Sequence, residues 1–224
     1  MSIKIHNVPI KMASVYLIES ENGLVLVDTG PPGSERKILQ KMHALGRNDL
    51  RLIFITHSHF DHYGSTAALR RISGAPIAVH TADAQAMSAG KTPILLAHGR
   101  GRLTLALLPL FERLVRTEPT TPDVLLKDGD DLSAYGLNAS VLHTPGHTPG
   151  SSTLLVEGKL AFAGDLISTN GRPHFQRLYA TDWSQLSASL LRLGAAKTEK
   201  IYPGHGSTPL SGLELRKMLE NKSA

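Results

Sequence analysis

Three histidines and one aspartate stand in residues 57–62, in the order His-Ser-His-Phe-Asp-His, directly after an apolar run. Imidazole nitrogen and carboxylate oxygen are atoms that bind zinc, at about 2 Å. In a loop after a strand, His57 and His59 can converge on one ion, whereas a helix would point them in different directions. Asp61 and His62 are adjacent, so they are better placed to serve a second point in space. The cluster therefore predicts a metal site and favours two ions over one.

Three further positions carry ligand-type side chains next to glycine, each near the end of a predicted strand. His147 lies in residues 144–150 (Thr-Pro-Gly-His-Thr-Pro-Gly), a turn that proline and glycine make rigid. Asp165 follows Gly164, which permits a close backbone approach, and His205 has glycine on both sides. Because sites in open α/β layers gather at strand ends, we expect these side chains to meet the first cluster at one edge of the fold.

The elements that must position these residues follow an alternation of strands and helices. Apolar runs predict strands at residues 15–19, 24–28, 52–56, 76–80, 139–142, 153–157, 160–163 and 200–202. Helices are predicted after Ser34, over 64–72 closed by Gly74, over 183–193 after the capping residue Asp182, and after the capping-box pair Ser211 and Glu214. Two similar halves with sheets inside and helices outside predict an α/β layered sandwich.

A leucine-rich segment at about residues 84–121 interrupts this alternation. Its leucines are broken by Gly99, Gly101 and Pro109, which predicts two or three short helices. Three interpretations stay open at this point. The segment can be a core or dimer-interface helix, which would make the protein a homodimer, or a lid over the site, or a helix on a membrane surface with arginines on its polar flank.

The composition of the 224 residues is that of an ordinary globular protein, with 19% charged residues, and we expect one domain over residues 1–224. No apolar run approaches the roughly 20 residues that span a bilayer, and the N-terminus lacks the apolar core of a secretory signal. We therefore expect a cytoplasmic protein without stable membrane insertion.

The absence of cysteine restricts the metal ligands to His, Asp and Glu. The net charge of +5 is scattered and aromatic residues are 5%, which argues against a nucleic-acid partner and favours a small-molecule substrate.

The motifs Thr-His-x-His-x-Asp-His, Thr-Pro-Gly-His, Gly-Asp and Gly-His, in this order, resemble the metallo-β-lactamase superfamily from about Val25 to Gly206. The resemblance implies an αββα four-layer sandwich with the site at one edge, here with a helical insertion at about 84–121. It also implies seven metal ligands, which are His57, His59 and His147 on one ion, Asp61, His62 and His205 on the other, and Asp165 between them. Asp28 matches an early aspartate of the family that supports the histidine loop by hydrogen bonding.

By this resemblance the reaction is hydrolysis with two divalent metal ions per chain, for which zinc is favoured and Mn, Fe or Co also fit the ligands. A water molecule shared by two cations loses a proton near neutral pH, and the resulting bridging hydroxide is the nucleophile. Asp61 is placed to carry a proton to the leaving group. Asp61 and Asp165 are therefore the candidate catalytic residues.

Two residues narrow the substrate class. Asp165 is a carboxylate where β-lactamases of this fold carry another residue, and His59 stands where redox di-iron relatives use Glu. The chain therefore resembles N-acyl homoserine lactonases and hydroxyacylglutathione hydrolases (glyoxalase II). The leucine-rich segment, which could cover an apolar acyl chain, favours a lactone or ester over a glutathione thioester. A β-lactam, a phosphodiester and the persulfide dioxygenase reaction of a mononuclear iron are less favoured alternatives.

Four side chains near the ligand motifs are candidates for contact with the substrate. Tyr63 is adjacent to His62, and three others lie in the loop that leaves the site after Asp165, namely Arg172, His174 and Tyr179. Residues in such loops often carry specificity because the scaffold holds them beside the reaction centre.

Overall fold

The computed structural model describes residues 3–92 and 116–223. They form two large β-sheets packed face to face, with helices on both outer faces, and a small two-stranded sheet. The strands are β1 (Lys4–Val8), β2 (Val15–Ser20), β3 (Gly23–Val27), β4 (Leu50–Ile55), β5 (Ile77–His80), β6 (Val124–Leu126), β7 (Ala139–His143), β8 (Ser152–Val156), β9 (Leu160–Phe162), β10 (Ile167–Ser168), β11 (His174–Phe175), β12 (Lys200–Tyr202) and β13 (Leu210–Ser211). The helices are α1 (Glu35–Ala44), α2 (Phe60–Tyr63), α3 (Thr66–Ser73), α4 (Thr81–Ser88), α5 (Trp183–Ala195) and α6 (Gly212–Ser223).

The first sheet has the strand order β1-β2-β3-β4-β5-β6. The pairs β1–β2 and β2–β3 are antiparallel, whereas β3, β4, β5 and β6 run parallel to one another. The parallel register pairs Val27 with Phe54 and Ile55 with Val79, so the C-terminal ends of β3, β4 and β5 lie at the same edge. We call this edge the ligand edge, because residues 57–62 follow β4 there.

The second sheet has the order β13-β12-β9-β8-β7 and also contributes strand ends to the ligand edge. Strands β7, β8 and β9 are antiparallel in sequence, and β12 runs parallel to β9, so β7, β9 and β12 share one direction. Backbone hydrogen bonds join the two sheets at this edge. The amide of Ser152 donates to the carbonyl of Thr56 over 2.9 Å, and the amide of Ser14 donates to the carbonyl of Gly204 over 2.7 Å.

Three apolar layers hold the sandwich together. Val15 and Leu17 on β2 pack in a layer with side chains of α1 and α3, while the alternate residues Tyr16 and Ile18 face the second sheet. The third layer lies between the second sheet and helices α5 and α6. Because successive strand residues point to opposite faces, strands buried on both faces are apolar at nearly every position. The predicted αββα four-layer sandwich is confirmed.

The capping signals in the sequence were correct at two helices and wrong at one. The Asp182 side chain accepts hydrogen bonds from the amides of the first turn of α5, and Ser211 and Glu214 form the predicted reciprocal pair at α6. Ser34 does precede α1, but its side chain makes no capping hydrogen bond. Its amide instead donates to the Ser65 hydroxyl, since Ser34 is buried against the start of α3.

Several short elements were not predicted. Strand β1 has few apolar residues because it is a sheet edge, and β6 is only three residues long. The two-residue strands β10 and β11 form a hairpin after Asp165. Such short pieces carry no periodicity that a sequence window can detect.

Most of the leucine-rich segment, residues 93–115, lies outside the described residues, so its interpretation as lid, interface or membrane-surface element stays a prediction. Its described beginning differs from the prediction, because α4 starts at Thr81 and continues the core fold after β5. None of the helices among the described residues is long and apolar enough to cross a membrane.

The layer between the sheets should dominate stability. Phe162 is 1% exposed and packs against the rings of Tyr16 and Tyr202, with centroids 5.4 and 4.7 Å away. We expect Phe162→Ala to lower the free energy of unfolding by about 3–5 kcal/mol, measured by urea denaturation. Leu191→Ala, at a side chain that is 60% exposed, should change it by less than about 0.5 kcal/mol. Equal effects in the two variants would contradict this assignment of the core.

Candidate metal centre

The structure brings all seven predicted ligand side chains together at the ligand edge. Those of the first sheet lie on the β4–α2 connection and on α2, and those of the second sheet lie on the turns after β7, β9 and β12. They form two groups. Cluster one is His57, His59, His147 and Asp165, and cluster two is Asp61, His62 and His205. Within each cluster the candidate ligand atoms all lie within 4.8 Å of one another.

Cluster one is buried, and its spacing suits a metal ion. Nδ1 of His59 lies 3.0 Å from Nε2 of His147, which lies 3.2 Å from Oδ2 of Asp165. Nε2 of His57 is 4.0 Å from the same carboxylate oxygen. Four ligand atoms at about 2.1 Å from a tetrahedral ion are about 3.4 Å apart. The observed distances bracket this value.

Cluster two lies beside cluster one and shares a carboxylate with it. Nε2 of His62 and Nε2 of His205 are 3.9 and 3.8 Å from Oδ2 of Asp61. Asp165 also contacts this cluster, with Oδ1 3.3 Å from His62 Nε2 and Oδ2 3.0 Å from His205 Nε2. One carboxylate therefore reaches the ligand atoms of both clusters.

Asp28, just after β3, orients a histidine in each cluster. Its buried carboxylate accepts hydrogen bonds from the Thr56 amide, the Thr56 hydroxyl and Nδ1 of His62, all at 2.8 Å. Because the Thr56 hydroxyl has a single proton and donates it to Asp28, its oxygen must accept from Nδ1 of His57, 3.0 Å away. Both imidazoles then carry their proton on Nδ1 and present the Nε2 lone pair to the clusters, as metal-binding histidines do.

His205 is oriented by the backbone rather than by a carboxylate. Its Nδ1 contacts the carbonyl oxygen of Met12 in the β1–β2 loop. Met12 has a φ of 80°, in the left-handed region that is unusual for a residue other than glycine. Met12 was not predicted, because a contact through a main-chain oxygen leaves no signal in the residue type.

The electrostatic environment favours a metal-binding protonation state at His57 and Asp165, whereas at His62 it favours the protonated imidazole, from which an ion would have to displace a proton. Burial, together with the neighbouring His62, lowers the pKa of His57 well below its ordinary value. Burial alone would lower the pKa of His62 too, but the carboxylates of Asp165 and Asp28 raise it well above its ordinary value. Although burial raises the pKa of Asp165, His205 and His62 hold it well below its ordinary value. A neutral imidazole and an ionised carboxylate are metal-binding forms.

Two buried nitrogen atoms provide an independent test of whether these residues fit a metal. Nε2 of His57 and Nε2 of His62 have no hydrogen-bond partner among the described residues. A buried polar atom left in this way costs about 1–3 kcal/mol. The cost is offset when the atom binds a cation, and both atoms belong to the clusters. The donor set therefore fits divalent metal ions.

Gly164 has the close approach that the sequence predicted. Its φ is 49°, and a Cβ there would lie 2.8 Å from Oγ1 of Thr56. The turn that carries Asp165 can therefore lie directly against the Thr56 hydroxyl that links Asp28 to His57.

The predicted substrate residues are placed differently from one another. Tyr63 is 1% exposed, packs in the layer under the first sheet and donates to the carbonyl of Lys91, and its contact with substrate stays a prediction. Arg172 and His174 are exposed on the β10–β11 hairpin. Tyr179 is half-buried with a φ of 64°. The substrate roles of the last three stay predictions.

A comparison with known families agrees with this site. The family model of the metallo-beta-lactamase superfamily matches residues 9–205. The chain belongs to this superfamily. With its His/Asp clusters and its relatives, it is a metal-dependent hydrolase by class.

Individual relatives lie at about 30% identity. The chain is 31% identical over 209 residues to a hydroxyacylglutathione hydrolase of Aeromonas hydrophila, covering 92% of this chain and 65% of that protein. It is 29% identical to the hydroxyacylglutathione hydrolase GloC of Haemophilus influenzae, covering 88% of this chain and 87% of that protein. A solved structure, TTHA1623 in a di-iron-bound form, superposes with a TM-score of 0.70 at 27% identity and covers 99% of this chain and 98% of that chain.

The role of Asp28 can be tested by Asp28→Asn. The amide group would put a second donor against either Thr56 or His62, so we expect metal affinity to fall about 10- to 100-fold, measured by competition with a chelator. Asp131→Asn is the control, because that exposed carboxylate accepts hydrogen bonds from Ser133 in a surface turn. Unchanged affinity in Asp28→Asn would show that Asp28 does not orient the ligands.

Proposed function

We propose that this protein is a dinuclear metal-dependent hydrolase that cleaves carbonyl ester-type bonds. The observation that carries the proposal is the position of Asp165, whose carboxylate lies within 3.3 Å of ligand atoms in both clusters. In this proposal cluster one would hold one divalent ion and cluster two the other, and Asp165 would be a ligand available to both. Zinc is the favoured metal, and Mn, Fe or Co fit the same ligands.

Two bound ions would supply Lewis acids for the substrate carbonyl and would lower the pKa of a bound water molecule to near neutral. The chain itself orients the site through Asp28 and holds the ligand loops rigid. Asp61 is the more exposed of the two site carboxylates, with 14% of its side chain accessible against 5% for Asp165. We assign to Asp61 the transfer of a proton to the leaving group, because its carboxylate is the one that solvent and a leaving group can reach.

The relatives favour one substrate class within this reaction. Two are hydroxyacylglutathione hydrolases, and one of them matches over most of its own length. The preference for a lactone or ester depends on the leucine-rich segment, whose residues 93–115 lie outside the described residues. We therefore place the thioester of a hydroxy acid first among the ester-type substrates, with a lactone or oxygen ester as the second candidate.

Removing a ligand should separate chemistry from stability. We expect His57→Ala and Asp165→Ala to lose at least one metal ion per chain and to lower kcat/KM by at least about 10³-fold, the loss expected when a metal-held nucleophile is disrupted. His43→Ala, an exposed histidine on α1, should keep both metal and activity. Metal analysis and kinetics on the same preparations test this. Equal losses in all three variants would mean that the effect is on folding.

A substrate panel tests the class of reaction. We expect the metal-loaded protein to turn over a hydroxyacylglutathione thioester, or else a lactone, with a kcat/KM in the ordinary enzyme range of about 10⁴ M⁻¹s⁻¹ or more. A β-lactam and a phosphodiester should be turned over far more slowly. The control is the same protein after chelation. Oxygen uptake with a persulfide substrate, or phosphodiester turnover above that of both esters, would overturn the proposal.

A further inference from the structure

A second buried aspartate, Asp83, lies next to the candidate metal centre. It is in the first turn of α4 and is 1% exposed. Its Oδ2 accepts hydrogen bonds from the Ser58 amide and the Thr148 hydroxyl, both at 2.8 Å, and its Oδ1 accepts from the Gly150 amide at 2.7 Å. Three donors satisfy a carboxylate that would otherwise be costly to bury.

The donors of these hydrogen bonds belong to the two loops that form cluster one. Ser58 stands between His57 and His59 on the loop of the first sheet, and Thr148 follows His147 on the turn of the second sheet. Asp83 is thus a link between loops that approach from different sheets.

The turn between β7 and β8 lies very close to the Asp83 carboxylate. A Cβ at Gly150 would lie 2.5 Å from Cγ of Asp83, so only glycine lets the turn approach this closely. The Thr148 hydroxyl and amide also contact the Ser151 hydroxyl, at 2.8 and 2.9 Å. These contacts fix the direction in which Thr148 meets Asp83.

A simple helix-capping role does not account for Asp83. The N-cap of α4 is His80, whose side chain accepts from the Ala82 amide over 3.3 Å. The three hydrogen bonds of the Asp83 carboxylate go to residues 58, 148 and 150, outside its own helix.

We infer that Asp83 is a positioning residue that sets the separation between the His57–His59 loop and the His147 turn, and thereby the affinity of cluster one for its ion. This inference depends on the metal binding in the proposed function. The inference distinguishes the two clusters. Asp28 bonds to His62 of cluster two and reaches His57 of cluster one through the Thr56 hydroxyl, whereas the partners of Asp83 flank cluster one alone.

The test is a titration of the metal-free protein with Co²⁺, followed by visible absorption and by competition with a chelator, in wild type and Asp83→Asn. The matched control is Asp123→Asn. Asp123 also accepts a strand amide, from Ile77 at 2.9 Å, and an Arg70 hydrogen bond at 2.7 Å, but it lies before β6 at the opposite end of β5 from the ligand edge. Urea denaturation of the metal-free forms reports the loss of stability in each variant.

We expect Asp83→Asn to weaken one Co²⁺ site about 10- to 100-fold, as removal of an outer contact of a metal ligand does, and to change the other site much less. The absorption of the weakened ion should also shift, because its ligand geometry relaxes. Asp123→Asn should lower stability without changing either affinity. If both sites of Asp83→Asn keep wild-type affinity and spectrum, or if Asp123→Asn weakens cobalt binding equally, the inference is wrong.

Thr148→Val provides a second variant if Asp83→Asn does not fold. It keeps the shape of the side chain and removes one donor to Asp83, so we expect the same cobalt site to weaken about two- to tenfold, the value of one hydrogen bond, and Thr148→Ser to restore it. Unchanged binding in Thr148→Val would overturn the inference.

The failure of the proposed function and the failure of this inference give different results. Wild type that binds no Co²⁺ ends the proposed function, whereas wild type that binds two ions with unaltered variants ends only the role of Asp83.

Discussion

The hydrogen bonds of the Asp28 carboxylate are the constraint on which the rest of the site depends. A buried carboxylate needs several donors to offset the loss of water, and here they come from the Thr56 amide and hydroxyl and from His62. These bonds fix the proton on Nδ1 of His62 and, through the Thr56 hydroxyl, on Nδ1 of His57. One side chain thus decides which nitrogen two ligands present to the clusters. The parallel pairing of β3 and β4 makes this possible, because it puts residue 28 beside residue 56.

The site also depends on the fold, which brings loops of two sheets to one edge. The loop after β4 carries ligands from the first sheet, and the turns after β7, β9 and β12 carry those from the second. Neither sheet holds a complete cluster one, since His57 and His59 need His147 and Asp165 from the other side. Packing of the apolar layer that contains Phe162 is therefore a condition for the site, since it holds the two sheets together.

Whether a site residue could be predicted from the sequence depends on how far along the chain its contact partners lie. The seven ligand types stand in short motifs with glycine and proline around them, so residue types and strand ends were enough to predict that they meet. Asp83 lies between two alanines in an ordinary helix, and its partners are 25 to 67 residues away, so no local pattern marks it. Met12 acts through a main-chain oxygen, and Ser34 has the residue type of a cap but is held by Ser65 instead. Contacts of this kind are decided by tertiary packing, which a periodicity does not record.

The positions of Asp28 and Asp83 also bear on how substrate choice can vary in such a site. Both carboxylates accept hydrogen bonds from the loop after β4. Asp28 follows β3 and Asp83 lies in the helix that follows β5, and these are the two strands next to β4 in the sheet. The loop that carries the candidate ligands is therefore held by two carboxylates that are each 1% exposed. Arg172 and His174, by contrast, are exposed on the β10–β11 hairpin, whose strands are two residues long. On the prediction that Arg172 and His174 contact substrate, residues of this hairpin can vary while the histidines and Asp165 keep their positions, because exposed loops tolerate change at little cost to the core.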